Sequence, residues 1–410
     1  MIEPLGLWEG VGVEIEYMIV DAGTLDVKPV ADALLAMAGG VAPSGVPDDV
    51  SRGTVAWSNE LALHVIELKT ARPVPGFEGL AERFQKSVRE ITAILRLAGA
   101  RLMPGGMHPW MDPERELKLW PHENTEIYRA FDRIFGCKGH GWANLQSTHL
   151  NLPFRGDEQF AALHDAIRLV LPLVPALAAS SPVLDGAPGP GLDNRLLAYG
   201  ENARNVPSVS GGVVPERVAS RDEYRERILG SIYADLLPLD PEGVLRHEWV
   251  NARGAIARFE RGSIEVRVID AQECVRSDLA VAAAVTAGVR LAADRGRDAT
   301  VPDEVLRQTL ERTIQLGSEA VIADPTYLAA LGLEGERQMR GREIWRTLAA
   351  PVLADAAVPE LHAPLTLILE RGTLAERIRR ALGQAPTRER VRGAYELLCG
   401  CVEAGEPFAT

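Results

Sequence analysis

The chain predicts an α+β fold built on an antiparallel sheet, on three observations. Alternating apolar and polar residues mark strands at several points up to about Asp270. Long stretches with an apolar period of three to four residues are inserted between those strands. Beyond Asp270 nearly every segment has helical periodicity. Two regions are expected, 1–275 carrying the sheet with inserted helices and 276–410 forming a helical region packed on the same domain. No 20–50-residue repeat suggests a solenoid or propeller.

Residues 11–20 alternate cleanly, with Val11, Val13, Ile15, Tyr17 and Ile19 on one face and Gly12, Glu14, Glu16 and Met18 on the other. Asp21-Ala-Gly23 predicts a turn into a short return strand over 24–30. A helix over 31–38 is closed by Gly39-Gly40. Two further strands fall within 54–70 and end at Pro73 and Pro75. Leu80, Phe84, Val88, Ile91, Leu95 and Ala98 form the stripe of an amphipathic helix. After a Gly/Pro loop at 104–109 come a helix over 126–135, a strand over 143–154 and one long buried helix over 157–179. Residues 181–191 form a loop, and 263–270 is the last strong strand. Helices are then expected over 277–294, 303–316, 340–353, 359–382 and 387–403.

Composition narrows the function. With 44 Lys+Arg against 57 Asp+Glu the formal charge is −13, which argues against nucleic acid or an anionic membrane as the main partner. A hydrophobic content of 46% and a charged content of 25% exclude disorder and collagen-like structure. Cys137, Cys274, Cys399 and Cys401 show neither chelating nor disulfide-scaffold spacing, and Cys137 and Cys274 are expected in the core. The opening MIEPLGLWEGVGVEIEY has no basic region followed by an apolar one. The most apolar stretch, 166–180, carries Arg168, Pro172 and Pro175 and is too short to span a bilayer. A cytoplasmic protein is therefore expected.

The informative residues lie opposite the apolar face of each strand. Glu14 and Glu16 project the same way, about 6.5–7 Å apart along the strand. Glu67 lies between Ile66 and Leu68, and Glu60 follows the bend at Ser58-Asn59. His149 and Asn151 alternate with Leu150 and Leu152, as Glu265 and Arg267 do with Ile264, Val266 and Val268. A half-exposed sheet carries polar residues anyway, so a single Glu-x-Glu has little weight. Four strands offering mostly acidic residues have more, because gathered carboxylates repel one another unless cations neutralise them. Such an oxygen-rich set with one His suits Mg²⁺ or Mn²⁺, which pair readily with phosphates, better than Zn²⁺. Arg267, two residues from Glu265, would place a fixed positive fork beside such phosphates.

These residues resemble the glutamate–cysteine ligase family, in particular its carboxylate–amine ligase branch. GVGVEIEYMIVD is similar to the family's opening G-V-E-x-E strand. In the same order follow NELALHVIELKTARP, PGGMHPW, STHLNLPF, GSIEVRVID and, in the helical tail, LILERGTLAERIRRALG. The resemblance implies a glutamine synthetase-like cup for residues 1–275, a curved antiparallel sheet with helices on its outer face. It implies ATP and Mg²⁺ inside the cup, and ADP-forming amide synthesis from an amino-acid carboxylate and an amine through an acyl phosphate. Carried over position by position, Glu14, Glu16, Glu60, Glu67, His149 and Glu265 would be metal ligands, Arg267 would contact the γ-phosphate, and Asn151 would lie near the nucleotide. Asn151 stands where the branch usually has a second His. RNVPSVSGG resembles the family's Arg-x-x-Pro-x-x-Gly stretch that faces the substrate, and HEWVNARGAIARFERG resembles its Trp-containing strand preceding the last Glu, with Arg253 and Arg258 offered to an anionic ligand.

Arg195 and Arg204 flank the irregular stretch after 181–191, where they could clamp a substrate carboxylate or lie on a solvated surface. His108 either lines the mouth of the cup or holds a turn. Trp249 is expected as a packed strand residue, and the charge runs near 221–227 and 370–380 as solvated helix faces. No P-loop or dinucleotide fingerprint is present. A guanidino-type phosphotransferase on the same fold and a non-catalytic ligand-binding relative are the rival readings. Edge strands and long helices leave room for a homo-oligomer.

Overall fold

The computed structural model describes residues 4–42, 45–296 and 301–409. Its strands are β1 Gly12–Asp21, β2 Asp49–Arg52, β3 Val55–Asn59, β4 Val65–Thr70, β5 Ala100–Met103, β6 Ser147–Pro153, β7 Val183–Leu184, β8 Ala187–Pro188, β9 Ala255–Arg258 and β10 Ser263–Asp270, with a separate two-stranded pair, β11 Val321–Ile322 and β12 Met339–Arg340, among the later helices. Seven of them form one antiparallel path, β2-β3-β4-β1-β6-β10-β9, and β5 adds to the second half of β1. The α+β class built on a large antiparallel sheet thus holds.

β1 is the organiser. Val13, Ile15, Tyr17 and Ile19 have no exposed surface, and this face is backed by the helices Leu80–Leu97, Gly156–Val170 and Val275–Asp294. One edge of β1 takes β6 along Gly12–Ile15 and β5 along Met18–Asp21, while the other takes β4 along Glu14–Met18. Where Val275–Asp294 meets the sheet, buried Asp278 accepts hydrogen bonds from Tyr17 Oη (2.7 Å), Thr148 Oγ1 (2.8 Å) and the Gln272 amide (2.7 Å). Burial raises the Asp278 carboxyl to about 7 against the pull of those bonds.

Several elements differ from the sequence expectation. Residues 24–30 make one bridge, Val20 to Val27, and no strand. Asp21 Oδ1 instead caps a tight turn by accepting from the Gly23 and Thr24 amides, and Pro29 has no amide hydrogen to extend a ladder. The helix expected over 157–179 breaks after Val170 into a 3₁₀ turn, Leu171–Leu173, and a short helix, Pro175–Ala178. Pro172 and Pro175 lack the amide hydrogens a continuous helix needs. Carbonyls at the break are taken by side chains from much later in the chain: Leu169 O by Tyr327 Oη (2.6 Å), Pro172 O by Thr313 Oγ1 (2.6 Å), and Leu173 O by Trp345 Nε1 (2.7 Å).

The helix expected over 359–382 divides at Gly372, whose φ is +87°, and restarts on a Thr373–Glu376 capping box. The segment 340–353 divides likewise, before Pro351. Strand β6 begins four residues later than expected, after a one-turn helix His140–Ala143, and the loop 181–191 holds the β7–β8 hairpin. Within the run 370–380, Arg377 is fully buried and ion-paired with Glu273 at 2.8 Å, so that face is not wholly solvated. Cys137 and Cys274 are buried. No helix of the described residues is long and apolar enough to cross a membrane.

Asp278→Ala should leave two buried hydroxyls without their acceptor and lower stability by about 2–4 kcal/mol, and Thr148→Val by about 1 kcal/mol. Urea unfolding at pH 7, with the slope unchanged, measures both.

Candidate functional site

Cross-strand register assembles the open face of the sheet. Glu16 lies directly opposite Glu67, Glu14 sits between Lys69 on one side and His149 on the other, Asn151 faces Glu265, and Ser58 faces Glu67. Opposed residues of an antiparallel pair share a face, so the alternation that buries Val13, Ile15 and Tyr17 forces these groups together. Glu60 reaches the same place from the β3–β4 connection. Two sets result, Glu14–Glu67–His149 and Glu16–Glu60–Glu67, in each of which one ligand atom per residue lies within 4.8 Å of the others. Glu67 belongs to both.

Hydrogen bonds hold the donors in place. Glu16 Oε2 accepts from the Ser147 amide (2.7 Å) and hydroxyl (3.1 Å), and the same hydroxyl meets His149 Nε2 at 2.9 Å. His149 Nδ1 is 3.3 Å from Glu14 Oε2, and Asn151 Nδ2 donates to Glu14 Oε1 at 3.2 Å. Glu67 Oε1 accepts from Ser58 Oγ at 2.6 Å and lies 3.3 Å from Lys69 Nζ, which also reaches Asp49.

The charges are frustrated. Burial, then the neighbouring Glu14 charge, push the Glu67 carboxyl up to about 7 despite Lys69 and Ser58. Burial together with Glu16 and Glu67 pushes Glu60 well above the usual carboxylate range. Glu14 is also penalised by burial, yet His149, Arg261 and Lys69 bring it down to about 2. His149 is raised in turn, the Glu14 bond and the Glu16 charge outweighing its burial. Carboxyls driven toward protonation within 4.8 Å of one another are a donor set that a divalent cation relieves. All-oxygen donors with one imidazole fit Mg²⁺ or Mn²⁺.

A cavity of about 250 Å³ opens over the Glu16 end of this face, with Glu16, Glu60, Ser147, His149, Arg195 and Arg267 on its polar side. A larger cavity, about 420 Å³, lies behind the sheet between Trp8 and the helix Val275–Asp294; among the described residues it contains neither acidic set.

The remaining expected site residues separate clearly. Glu265 lies on the open face but belongs to neither ligand set. Its oxygens are held by Arg258 (2.7 Å) and Arg267 (3.1 Å), so here it steadies two guanidinium groups instead of joining the ligand cluster. Arg258 is engaged with that acid and with Glu248. Arg195 is buried at the cavity wall against Asp270, and both its terminal nitrogens donate to Arg267 O. Arg204 is exposed and does not line this cavity, which is the solvated one of its two expected placements. Arg253 is a structural latch, its guanidinium consumed by a two-pronged pair with Glu216 (2.6 and 2.7 Å), Ser208 O and Asn251 Oδ1. His108 is buried with Nε2 2.8 Å from Leu25 O, holding its loop. Trp249 sits in the 3₁₀ turn Glu248–Val250, not a strand, and lines the cavity.

Sequence reasoning missed Lys69, Ser58, Ser147 and Tyr199. Lys69 and Ser58 were within reach, since Lys69 is two residues from Glu67 on the same face and Ser58 precedes the bend at Glu60.

Comparison with solved structures places this architecture. It superposes on the glutamate–cysteine ligase of Francisella tularensis, solved in complex with AMP, with TM-score 0.59 at 11% identity, covering 97% of this chain and 90% of that one. A bifunctional glutathione synthetase from Pasteurella multocida gives TM-score 0.51 at 14% identity, over 96% of this chain and 53% of that one. The fold is that of the glutamate–cysteine ligases. Residues 10–399 match the model of glutamate–cysteine ligase family 2 (GCS2), and the chain belongs to that family. Among its relatives, an uncharacterized protein of Archaeoglobus fulgidus is 34% identical over 97% of this chain and all of its own length. A protein of Rubrobacter xylanophilus with the provisional name glutamate–cysteine ligase 2-3 is 26% identical over 88% of each chain.

Raised carboxyls make a pH prediction. Glu67 binds its proton more tightly folded than unfolded, so its contribution to stability is greatest below about 4.5 and is lost as pH rises to about 7. In EDTA the melting temperature should therefore decline across that window, and less so in Glu67→Gln. Millimolar Mg²⁺ should restore it most at pH 7 and above.

Proposed function

We propose that this protein is an ATP- and Mg²⁺-dependent carboxylate–amine ligase that forms an amide through an acyl phosphate. One observation carries the reading: in a GCS2-family chain, five potential metal ligands converge on one face of the sheet, and three of them, Glu16, Glu60 and His149, line a cavity together with Arg267. Glu14, Glu67 and His149 would hold one Mg²⁺, and Glu16, Glu60 and Glu67 another. Bound there, Mg²⁺ supplies charge neutralisation for a triphosphate.

The chain's own groups do the rest. Arg267, kept charged by Glu265 and pushed further up by Tyr199 and Glu16, offers a fixed cation where negative charge develops on the transferred phosphoryl group. Asn151, Lys69 and Arg261 lie at the Glu14 end, the side on which the nucleotide would enter. A carboxylate oxygen attacks the γ-phosphorus, the bond to the β-phosphate oxygen breaks, and ADP leaves. The amine nitrogen then attacks the acyl carbon, the carbon–oxygen bond to phosphate breaks, and phosphate departs with the electron pair while the amine loses a proton. Alignment inside the cavity provides much of the acceleration. No covalent enzyme intermediate is required.

ADP release should depend on both a carboxylate and an amine. With carboxylate alone, hydroxylamine should trap a hydroxamate, which a phosphotransferase to nitrogen would not form. Arg267→Ala should lower kcat about 10²–10³-fold, and Glu16→Gln should do so with weakened Mg²⁺ dependence, in variants whose melting curves stay cooperative. ADP release unchanged by either substitution would overturn the assignment.

A further inference from the structure

The cavity beyond the acidic floor has a wall unlike its base. Tyr128 and Phe131 come from the helix Thr125–Phe135, Trp142 from His140–Ala143, Tyr199 from Asn194–Gly200, and Trp249 from Glu248–Val250, with Leu145 between them. Three of the rings, Phe131, Trp142 and Trp249, pack together. Phe131 lies 5.1 Å from Trp142 and 5.9 Å from Trp249, and Trp249 stacks on His247 at 5.3 Å. Trp142, Trp249 and Tyr128 are only half-buried, so the protein leaves aromatic surface uncovered at the cavity.

Charge on the same wall is already committed. Its arginines are Arg195, neutralised by Asp270, and Arg267, paired with Glu265 and assigned above to the phosphoryl group; among the described residues no lysine lines it. On this wall a substrate carboxylate would find each arginine already paired, and the cations of the floor, Arg267 and the Mg²⁺ proposed above, are assigned to the triphosphate. The wall is also set away from the Glu14 end, where Lys69, Arg261 and Asn151 gather; none of these lines the cavity.

From this geometry we propose that the amine acceptor is an aromatic or bulky apolar primary amine without a carboxylate, such as an arylalkylamine, and not an α-amino acid. The proposal rests on the ligase reading above. Ring faces supply apolar contact and attraction for the ammonium form. An acceptor carboxylate would be buried unpaired, which selects against it strongly.

The test uses the full chain with ATP, Mg²⁺ and a panel of amino-acid carboxylates beginning with glutamate, read by ADP release and product mass. Phenethylamine, tyramine and isoamylamine are compared with cysteine, alanine and glycine as acceptors. At least a tenfold higher kcat/KM for the apolar amines is expected. Trp142→Ala and Trp249→Ala should raise the amine KM tenfold or more with the ATP KM within twofold, and Trp249→Phe should recover most of the loss. Quenching of tryptophan fluorescence by phenethylamine gives an independent binding readout should an alanine variant fail to fold. Preference for cysteine, or substitutions acting on the ATP KM instead, would overturn the acceptor assignment alone. Absence of ADP release with every pair would instead overturn the ligase reading beneath it.

Discussion

Everything at this site follows from placing Glu16 directly across from Glu67 in adjacent strands. Like charges in that position repel, and an ordinary sheet avoids them. Here the apolar residues on the reverse face leave no alternative. Val13, Ile15 and Tyr17 are wholly buried against helices, so a one-residue slip that separated the acids would put those side chains into solvent. Core burial thus holds a repulsive arrangement in place, and the repulsion shows in carboxyls pushed toward protonation. Stability and affinity for cations are opposite sides of one constraint.

Two kinds of arginine surround this centre. Arg267 is tethered by one acid at the cavity floor, while Arg253 is spent entirely on Glu216 and neighbouring carbonyls. Both were expected to meet anions on the strength of the motifs around them, Arg267 the γ-phosphate and Arg253 an anionic ligand. What separates them is a partner 37 residues away, and no local pattern announces that.

Much of the sheet was legible because its signal is period two over long runs. β1 and β10, each with an apolar face of three or more residues, were placed to within a residue or two. β2, β5 and β9, of four residues each, were not recognised as separate strands, because four residues hold too little alternation to stand out from a loop. The acidic ligand sets were readable for the same reason as β1: alternation puts them on a common face before any pairing is known. The aromatic wall was not, since its rings come from four short elements separated by up to 121 positions, from Tyr128 to Trp249, and only folding brings them to one place. Breaks at Pro172 and Gly372 were visible as residue types, but a long helix still seemed continuous across them because apolar periodicity persists through the interruption.

The break after Val170 has a wider meaning. Three carbonyls of a helix that supports the sheet are satisfied by Tyr327, Thr313 and Trp345, each from its own later helix. A segment far downstream thereby supplies donors that the sheet-bearing half cannot provide for itself. These three anchors tie the helical tail to the sheet-bearing half. Exchanging tails between diverged members of the family would carry a stability penalty unless the three donors travelled with their acceptors.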